Sequence, residues 1–276
     1  TLHHHKQESN ECESRTAEFL MSNSLLQSGT MKTLALADLL FTQGFGTRRI
    51  CAGLVQQGLV SVAGQSITDA SAPIAAADGL AFSVQGQQWR YYEYATVILH
   101  KPAGYECSQK PSAWPSIYSL LPMPLRMRPS KGKQMGVQAI GRLDQDTTGL
   151  LVLTDNGQLL HRMAAPKHHV PKVYQVQCKH AMTSAQVDQL LAGVVLDDDP
   201  KPVRASACSL SGERRLDLTL AQGKYHQVKR MVAAVGNRVE ALHRSQIGQL
   251  HLPSDLPAGQ WRWLTAEEIT AMQQKQ

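Results

Sequence analysis

The sequence predicts an α+β protein with a small, mainly helical N-terminal region and a larger region built on a mixed, mainly antiparallel β-sheet with flanking helices. Apolar residues at helical spacing occur first, within residues 33–58. Residues 215–220 (RLDLTL) instead alternate polar and apolar side chains, as an antiparallel strand with one buried face does. At 276 residues, of which 42% are hydrophobic, the chain is long enough for one or two domains with a sizeable core.

The charge and the cysteine content narrow the possible classes of function. The chain carries 28 Lys and Arg against 22 Asp and Glu, a net charge of +6, which favours an acidic partner such as nucleic acid. Its five cysteines form no C-x-x-C pair, which argues for a reducing compartment and against a disulfide framework or a structural zinc site. No apolar run approaches the roughly 18 residues that span a bilayer. We therefore expect a cytoplasmic protein that has no membrane partner.

The first 31 residues are polar and include three consecutive histidines, His3, His4 and His5. A histidine triplet could bind a metal, but a disordered leader or a tag is the favoured interpretation of this segment. Met31 is the expected natural start, and we expect no function before it.

Two helices and a strand are predicted next. An apolar stripe predicts a helix that begins near Thr33. Thr47 is placed to cap a second helix, whose first turn carries Arg48 and Arg49. Residues 60–62 alternate as a short strand. The two arginines could contact phosphates, or they could be no more than a solvated helix start.

A buried strand over 96–99 opens the larger region. It leads into HKPAGY, where Lys101 is placed either to bind phosphate or to support a neighbouring loop. Residues 122–135 contain four cations among prolines and a glycine, which predicts a flexible basic loop. Such a loop could hold RNA, or it could serve only solubility.

The segment AIGRLDQDTTGLLVLTDNG, residues 139–157, places two carboxylates on a short polar link between two buried strands. A carboxylate held on a tight loop can be partly desolvated, as a nucleophile or a base must be. One alternative is an ordinary Asp/Thr-rich turn. Another is a glycosidase that uses Asp144 and Asp146, but two acids so close on one loop do not easily face each other across a sugar.

Two further motifs carry polar side chains at structured positions. Lys172-Val173-Tyr174 begins a half-buried strand, where the Tyr174 ring could stack on an unstacked pyrimidine or simply belong to the core. The segment GKYHQVKRM, residues 223–231, leads into a helix that begins near His226 and carries Lys229 and Arg230. Between them, the acidic turn 197–200 has no further ligands at metal-binding spacing and is expected to be a surface loop.

These three motifs, in this order, resemble those of the pseudouridine synthases of the RsuA/RluB/RluE/RluF family, and the third is most like that of its small-subunit members. The sequence departs from the family pattern where Asn156 replaces an acid and His100 replaces an asparagine. The resemblance implies that Asp144 is the catalytic carboxylate, that Tyr174 lies against the target base and that Lys229 pairs with Asp144. It also implies that Asp146 and Thr147 support the loop.

Residues 32–90 resemble the S4 type of RNA-binding domain, although the first helix lacks that family's usual basic residue. The implied organisation is a leader or tag (1–31), an S4-like domain (32–90) and a catalytic domain with the pseudouridine synthase fold (91–276). The residues that the resemblances place in contact with RNA are Arg48, Arg49, Lys101, Arg142, Lys172, Lys224, Gln227 and Arg230.

The family implies a reaction that needs neither a cofactor nor a metal. The N1–C1′ bond of uridine breaks, the base turns, and it is rejoined through C5. The aspartate either adds to the uracil ring or removes the C2′ proton to give a glycal, and the sequence leaves both routes open. The expected substrate is uridine 516 of 16S rRNA, in a small-subunit assembly intermediate, bound by a monomeric enzyme. The alternatives are a 23S rRNA enzyme of the same family and a non-catalytic protein that binds RNA during ribosome assembly.

Overall fold

A computed structural model describes residues 32–130, 134–165 and 170–274. The predicted leader, residues 1–31, lies outside the described residues, as do Lys131 and Lys133 of the predicted basic loop. None of the helices in the described part of the chain has the length and apolar character that would let it cross a membrane.

The N-terminal region packs two helices against short strands around its own apolar core. The largest fully buried side chains of this core are those of Phe82, Leu36, Leu39 and Leu40. The elements of this region are β1 (Lys32–Ala35), α1 (Leu36–Thr42), α2 (Arg48–Gln56), β2 (Val60–Val62), β3 (Gln65–Ser66), β4 (Pro73–Ala76), β5 (Ala81–Val84) and β6 (Gln87–Arg90).

One boundary in this region was predicted wrongly. The first helix begins at Leu36, because Thr33 and Leu34 belong to β1 and pair with β4. The second helix begins where expected, since the Thr47 side chain accepts a hydrogen bond from the backbone N–H of Ile50 and so caps its N-terminus.

The larger region is built on one mixed sheet whose strand order is β13-β14-β10-β15-β9-β7-β17, with β8 and β16 pairing at its side. Every pairing in this sheet is antiparallel except that of β15 with β9, so the predicted mixed, mainly antiparallel sheet with flanking helices is confirmed. Its elements are β7 (Thr96–Lys101), a 3-10 helix (Ile117–Leu120), α3 (Met123–Met127), β8 (Gln138–Ala139), β9 (Thr148–Thr154), α4 (Gly157–Ala164), β10 (Lys172–Cys178), α5 (Ser184–Ala192), β11 (Val194–Leu196), β12 (Asp199–Val203), β13 (Ala207–Gly212), β14 (Arg215–Leu220), α6 (Gln227–Ala234), β15 (Val239–Ile247), β16 (Leu250–His251), β17 (Trp261–Trp263) and α7 (Ala266–Gln273).

Apolar side chains cover the two faces of this sheet unequally. On one face, α5 and α6 contribute Leu190, Met231 and Val232 to a large core that includes the inward side chains of β10 and β14. On the other face, α4 and α7 contribute Met163 and Met272 to a smaller core over β7 and β9. This second core contains no residue of β10, β13 or β14, so that part of the sheet face is left without an apolar cover.

The parallel pairing of β9 with β15 depends on Gly149. Its φ of +112° favours glycine, and a Cβ atom at this position would lie 2.3 Å from the carbonyl oxygen of Arg244. The close approach brings β15 against the first residues of β9, immediately after the loop that carries Asp144.

The structure corrects the prediction that 122–135 is a flexible basic loop. Met123–Met127 is a helix, and Leu125 is buried in the large core. Arg128 follows this helix and is buried rather than solvated. Its cation is therefore not available to RNA.

Arg128 ties the two regions together. Its Nε donates to Asp155 Oδ2, and its Nη1 donates to Gln43 Oε1 at 2.8 Å. Its Nη2 donates to the carbonyl oxygens of Tyr92 and Glu93, at 2.8 and 3.0 Å. One buried guanidinium thus contacts the end of α1, the segment that joins the two regions, and the larger region itself.

We predict that Arg128→Ala lowers the free energy of unfolding by roughly 3–5 kcal/mol, because it leaves the Asp155 carboxylate buried without its cation. Urea denaturation of the whole chain would measure the change. Arg126→Ala is the matched control, because Arg126 is exposed on the same helix and should change stability by less than about 0.5 kcal/mol. Equal stabilities for the two variants would show that the buried contact is not needed.

Candidate active site

A buried lysine supports the loop between β8 and β9, which carries Asp144. Lys101, at the end of β7, is fully buried, and its ammonium donates to the carbonyl oxygens of Pro102, Gln145 and Thr147 at 3.0, 3.2 and 2.8 Å. Burial lowers the pKa of Lys101. The prediction that Lys101 contacts RNA is therefore wrong in this structure, and the alternative of loop support is the one that its contacts fit.

Asp144 is about one-quarter exposed and lies between two basic side chains. The ammonium of Lys229 is 3.3 Å from its Oδ2, and Nε2 of His226 is 3.2 Å from its Oδ1. Each oxygen of this carboxylate thus has a basic group beside it, while part of the carboxylate remains accessible.

Lys229 also pairs with the second acid of the loop. Its ammonium lies 2.7 and 2.9 Å from the two carboxylate oxygens of Asp146. Although partial burial acts to raise the pKa of Asp146, the hydrogen bond and charge of Lys229 lower it overall. Desolvation likewise acts to lower the pKa of Lys229, but the two aspartates raise it. Asp146 and Lys229 are thus held in their charged forms.

The start of α6 positions both of these basic groups. His226 precedes the helix with a φ of +48°, an uncommon conformation for a residue other than glycine. Its ring stacks on Tyr225, with ring centroids 3.8 Å apart. The side chain of Gln227 accepts from the backbone N–H of Lys224, which closes the turn. Sequence reasoning missed His226 as a contact of Asp144, although its place inside GKYHQVKRM was a usable signal.

One small pocket of about 70 Å³ is lined by all three predicted catalytic residues, Asp144, Tyr174 and Lys229. Tyr174 projects from β10 into the large core and is almost fully buried. Three of the predicted RNA-contact residues line the same pocket. They are Arg142, Lys224 and Gln227.

Thr147 also lines this pocket and has an unusual hydroxyl group. The residue is buried, and its Oγ1 has no hydrogen-bond partner within the described part of the chain. Because an unpaired buried hydroxyl is unfavourable, such a group in the pocket that contains Asp144 is suited to a partner that a ligand supplies.

A wider cleft of about 480 Å³ opens above the same loop. One wall carries Glu106, whose carboxylate accepts from the backbone N–H groups of Ser112, Ala113 and Trp114, and these bonds lower its pKa to about 2. The opposite wall carries Tyr225, which is 70% exposed. None of the residues that line this cleft comes from 32–90, so its walls belong to the larger region.

The remaining predicted RNA-contact residues lie apart from Asp144. Arg48 is exposed on α2, pairs with Asp38 at 2.9 Å and stacks over the Phe41 ring. Arg49 is exposed beside it. Neither arginine lines the two pockets that contain Asp144.

Two other predicted contacts are engaged within the protein. Lys172 donates to the carbonyl oxygen of Val170 at 2.9 Å, and burial, with the nearby charge of Arg244, lowers its pKa to about 8. Arg230 forms an ion pair with Asp198, in the acidic turn that sequence reasoning assigns to the surface. No group of three or more His, Cys, Asp or Glu that could hold a metal ion occurs among residues 32–130, 134–165 and 170–274.

Comparison with known proteins gives a consistent result. The family model described as RNA pseudouridylate synthase matches residues 95–234. Ribosomal small subunit pseudouridine synthase A of Escherichia coli K12 is 34% identical over 240 residues, which cover 85% of this chain and 98% of the relative. The corresponding protein of Yersinia pestis is 40% identical over 175 residues, which cover 63% of this chain and 71% of the relative.

A solved structure agrees with these sequence matches. A crystal structure of a pseudouridylate synthase superposes with a TM-score of 0.59 at 30% identity, and the match covers 87% of this chain and 99% of that one. The chain therefore belongs to the RNA pseudouridylate synthase family and is an isomerase that acts on RNA.

Proposed function

We propose that this protein is an rRNA pseudouridine synthase of the small-subunit type, which converts one uridine of 16S rRNA, the equivalent of uridine 516, to pseudouridine. The observation that carries the proposal is the shared pocket of Asp144, Tyr174 and Lys229, beneath an open cleft. The choice of 16S rRNA is supported by the names of its relatives in Escherichia coli and Yersinia pestis.

Asp144 is proposed as the catalytic carboxylate. The reaction breaks the N1–C1′ bond of uridine and forms a C5–C1′ bond, so that overall N1 gains a proton and C5 loses one. Asp144 can start it either by adding to the uracil ring or by removing the C2′ proton. Both routes require the carboxylate to be held toward the substrate, and its contact with the Lys229 ammonium, 3.3 Å away, orients it.

Tyr174 and Thr147 are proposed to hold the uracil. The target uridine must leave its stack, at a cost of a few kcal/mol. Stacking against a phenol ring on a rigid strand offsets part of that cost. The unpaired hydroxyl of Thr147, in the same pocket, is available to a polar group of the base.

Residues 32–90 are proposed to act as an S4-like RNA-binding domain beside a catalytic domain, 91–276. The proposal is supported by a separate apolar core in this region and by the exposed Arg48 and Arg49 on α2. Arg48 is partly neutralised by Asp38, so Arg49 is the better placed of the two for phosphate.

We predict that Asp144→Asn reduces pseudouridine formation by at least 10²–10⁴-fold, because the amide can neither add to uracil nor accept a proton. RNA affinity should change little. Turnover on 16S and 23S rRNA, with the modified position mapped in each, would measure both activity and target. Asp146→Asn is the control, since it keeps the Asp144 carboxylate while removing the closer partner of Lys229. Substantial turnover by Asp144→Asn would mean that another group does the chemistry, and no turnover by the unaltered protein on either RNA would favour a non-catalytic role.

Thr147→Val is predicted to lower kcat/KM by about tenfold while leaving the free energy of unfolding unchanged or raised. The isosteric change removes a hydroxyl that has no partner among the described residues, so folding loses no hydrogen bond, whereas bound uracil does. Urea denaturation and steady-state kinetics would measure the two effects. A loss of stability with unchanged kcat/KM would show that the hydroxyl is structural.

Arg49→Gln is predicted to weaken RNA binding and to reduce the slope of log K against log salt by about 1. Arg48→Gln, at the neighbouring position, should reduce the slope by less, because the Arg48 guanidinium is already paired with Asp38. Titration of fluorescent 16S rRNA fragments at several salt concentrations would give both slopes. Unchanged slopes for both variants would count against the S4-like assignment.

A further inference from the structure

A row of polar side chains crosses five neighbouring strands on the sheet face that lacks an apolar cover. Strand register makes each member the direct neighbour of the next, and the row ends beside the Asp144 loop. In order across β13, β14, β10, β15 and β9, it consists of Ser209, Asp217, Gln175, His243 and Thr148. We call this set the polar row.

The polar row reaches solvent. Ser209 and Gln175 are exposed, and the other three members are half-buried. A cleft of about 690 Å³ lies over the four members other than Ser209 and is also lined by Gln177, Arg215 and Glu240. Because strands lie about 4.8 Å apart, the row is about 19 Å long, which is enough for a few unstacked nucleotides.

This cleft meets the candidate active site at the end of the sheet. Tyr174 and the polar row lie on opposite faces of the sheet, since Tyr174 and Gln175 are consecutive residues of β10. Asp146 lines both the cleft over the polar row and the cleft that contains Asp144. A strand of RNA whose target uridine is at Asp144 can therefore reach the polar row by passing Asp146, just before β9.

The chemistry of the cleft selects among possible occupants. Among the described residues, its lining has three acids, Asp146, Asp217 and Glu240, against one arginine, Arg215, so the surface repels phosphate groups more than a basic groove does. Its amides, hydroxyls and carboxylates instead match the edges of bases and the 2′-hydroxyl of ribose. A stable protein partner would need a more apolar centre than this one.

Two side-chain contacts hold members of this surface in fixed orientations. Nδ1 of His243 lies 2.8 Å from the Thr148 hydroxyl. Nε of Arg215 donates to Oε1 of Gln177 at 2.9 Å, and the amide NH₂ of Gln177 donates to the carbonyl oxygen of Cys178 at 3.4 Å, which leaves one of its two hydrogens for a ligand. Burial, together with His100, lowers the pKa of His243 and so favours a neutral ring. Groups fixed in this way can distinguish one base from another.

We propose that the polar row is a nucleotide-binding surface that reads the bases and riboses of the single-stranded RNA next to the target uridine. This inference rests on the proposed function and adds to it the part of the protein that selects the sequence around the uridine. Because phosphates take little part, its contribution to binding is nearly independent of salt, unlike that of the arginines on α2.

The kinetic test uses Gln175→Ala and Asp217→Asn, with Gln249→Ala as the control. Gln249 is an exposed glutamine in the turn between β15 and β16 and lines neither cleft. Each test variant is expected to raise KM for 16S rRNA by about tenfold with kcat unchanged, and by the same factor at low and high salt. Effects no larger than that of Gln249→Ala would overturn the inference.

A second measurement does not depend on turnover. A 16S rRNA transcript containing 4-thiouridine is irradiated with the full chain, and the crosslinked peptides are identified by mass spectrometry. Crosslinks are expected at the polar-row positions of β10, β14 and β15, which are Gln175, Asp217 and His243, whereas a crosslink at Tyr174 reports the proposed uracil site. If pseudouridine forms but these three positions carry no crosslinks, the inference fails while the proposed function stands. If no pseudouridine forms, the proposed function fails, and crosslinks at these positions still support the surface.

Crosslinks that appear only after residues 1–31 are removed would also overturn the inference. They would show that this segment, rather than RNA, occupies the polar row in the full chain.

Discussion

Two lysines hold the loop that carries Asp144, one beneath it and one above it. Lys101 binds the carbonyl oxygens of the loop from within the core, and Lys229 binds its two carboxylates from the cleft side. The backbone and the side chains of the loop are thus fixed by different cations. The carboxylate of Asp144 is oriented by a cation without being removed from solvent, as a nucleophile or a base must be.

The elements that sequence reasoning predicted well are those whose signals are local. Thr47 and its helix lie within a few residues of each other, and so do Tyr174 and its alternating strand. The three motifs also identified the residues around Asp144, because each motif folds as one strand and loop or as one loop and helix. The resemblance added the pairing of Lys229 with Asp144, which lies 85 residues earlier and which no local pattern contains.

Sequence reasoning failed where residues far away in the chain determine whether a lysine or an arginine is buried or solvated. The carbonyl groups that bind Lys101 at Gln145 and Thr147 are 44 and 46 residues away, and the Gln43 side chain that binds Arg128 is 85 residues away. In the sequence, a lysine or arginine beside a proline looks solvated, since nothing nearby shows that it is buried. The polar row was missed for a related reason, because its members come from five strands and only the register brings them together.

The buried contact of Arg128 has a consequence for how an RNA can be selected. Because this guanidinium bonds to Gln43 and to Asp155 at once, it fixes the separation between the arginines on α2 and the carboxylate of Asp144. If the arginines on α2 bind phosphate and Asp144 attacks the target uridine, as proposed above, the two contacts act at a fixed span. Selection of an RNA would then depend on the distance between its phosphate backbone and its unpaired uridine as well as on the sequence around that uridine.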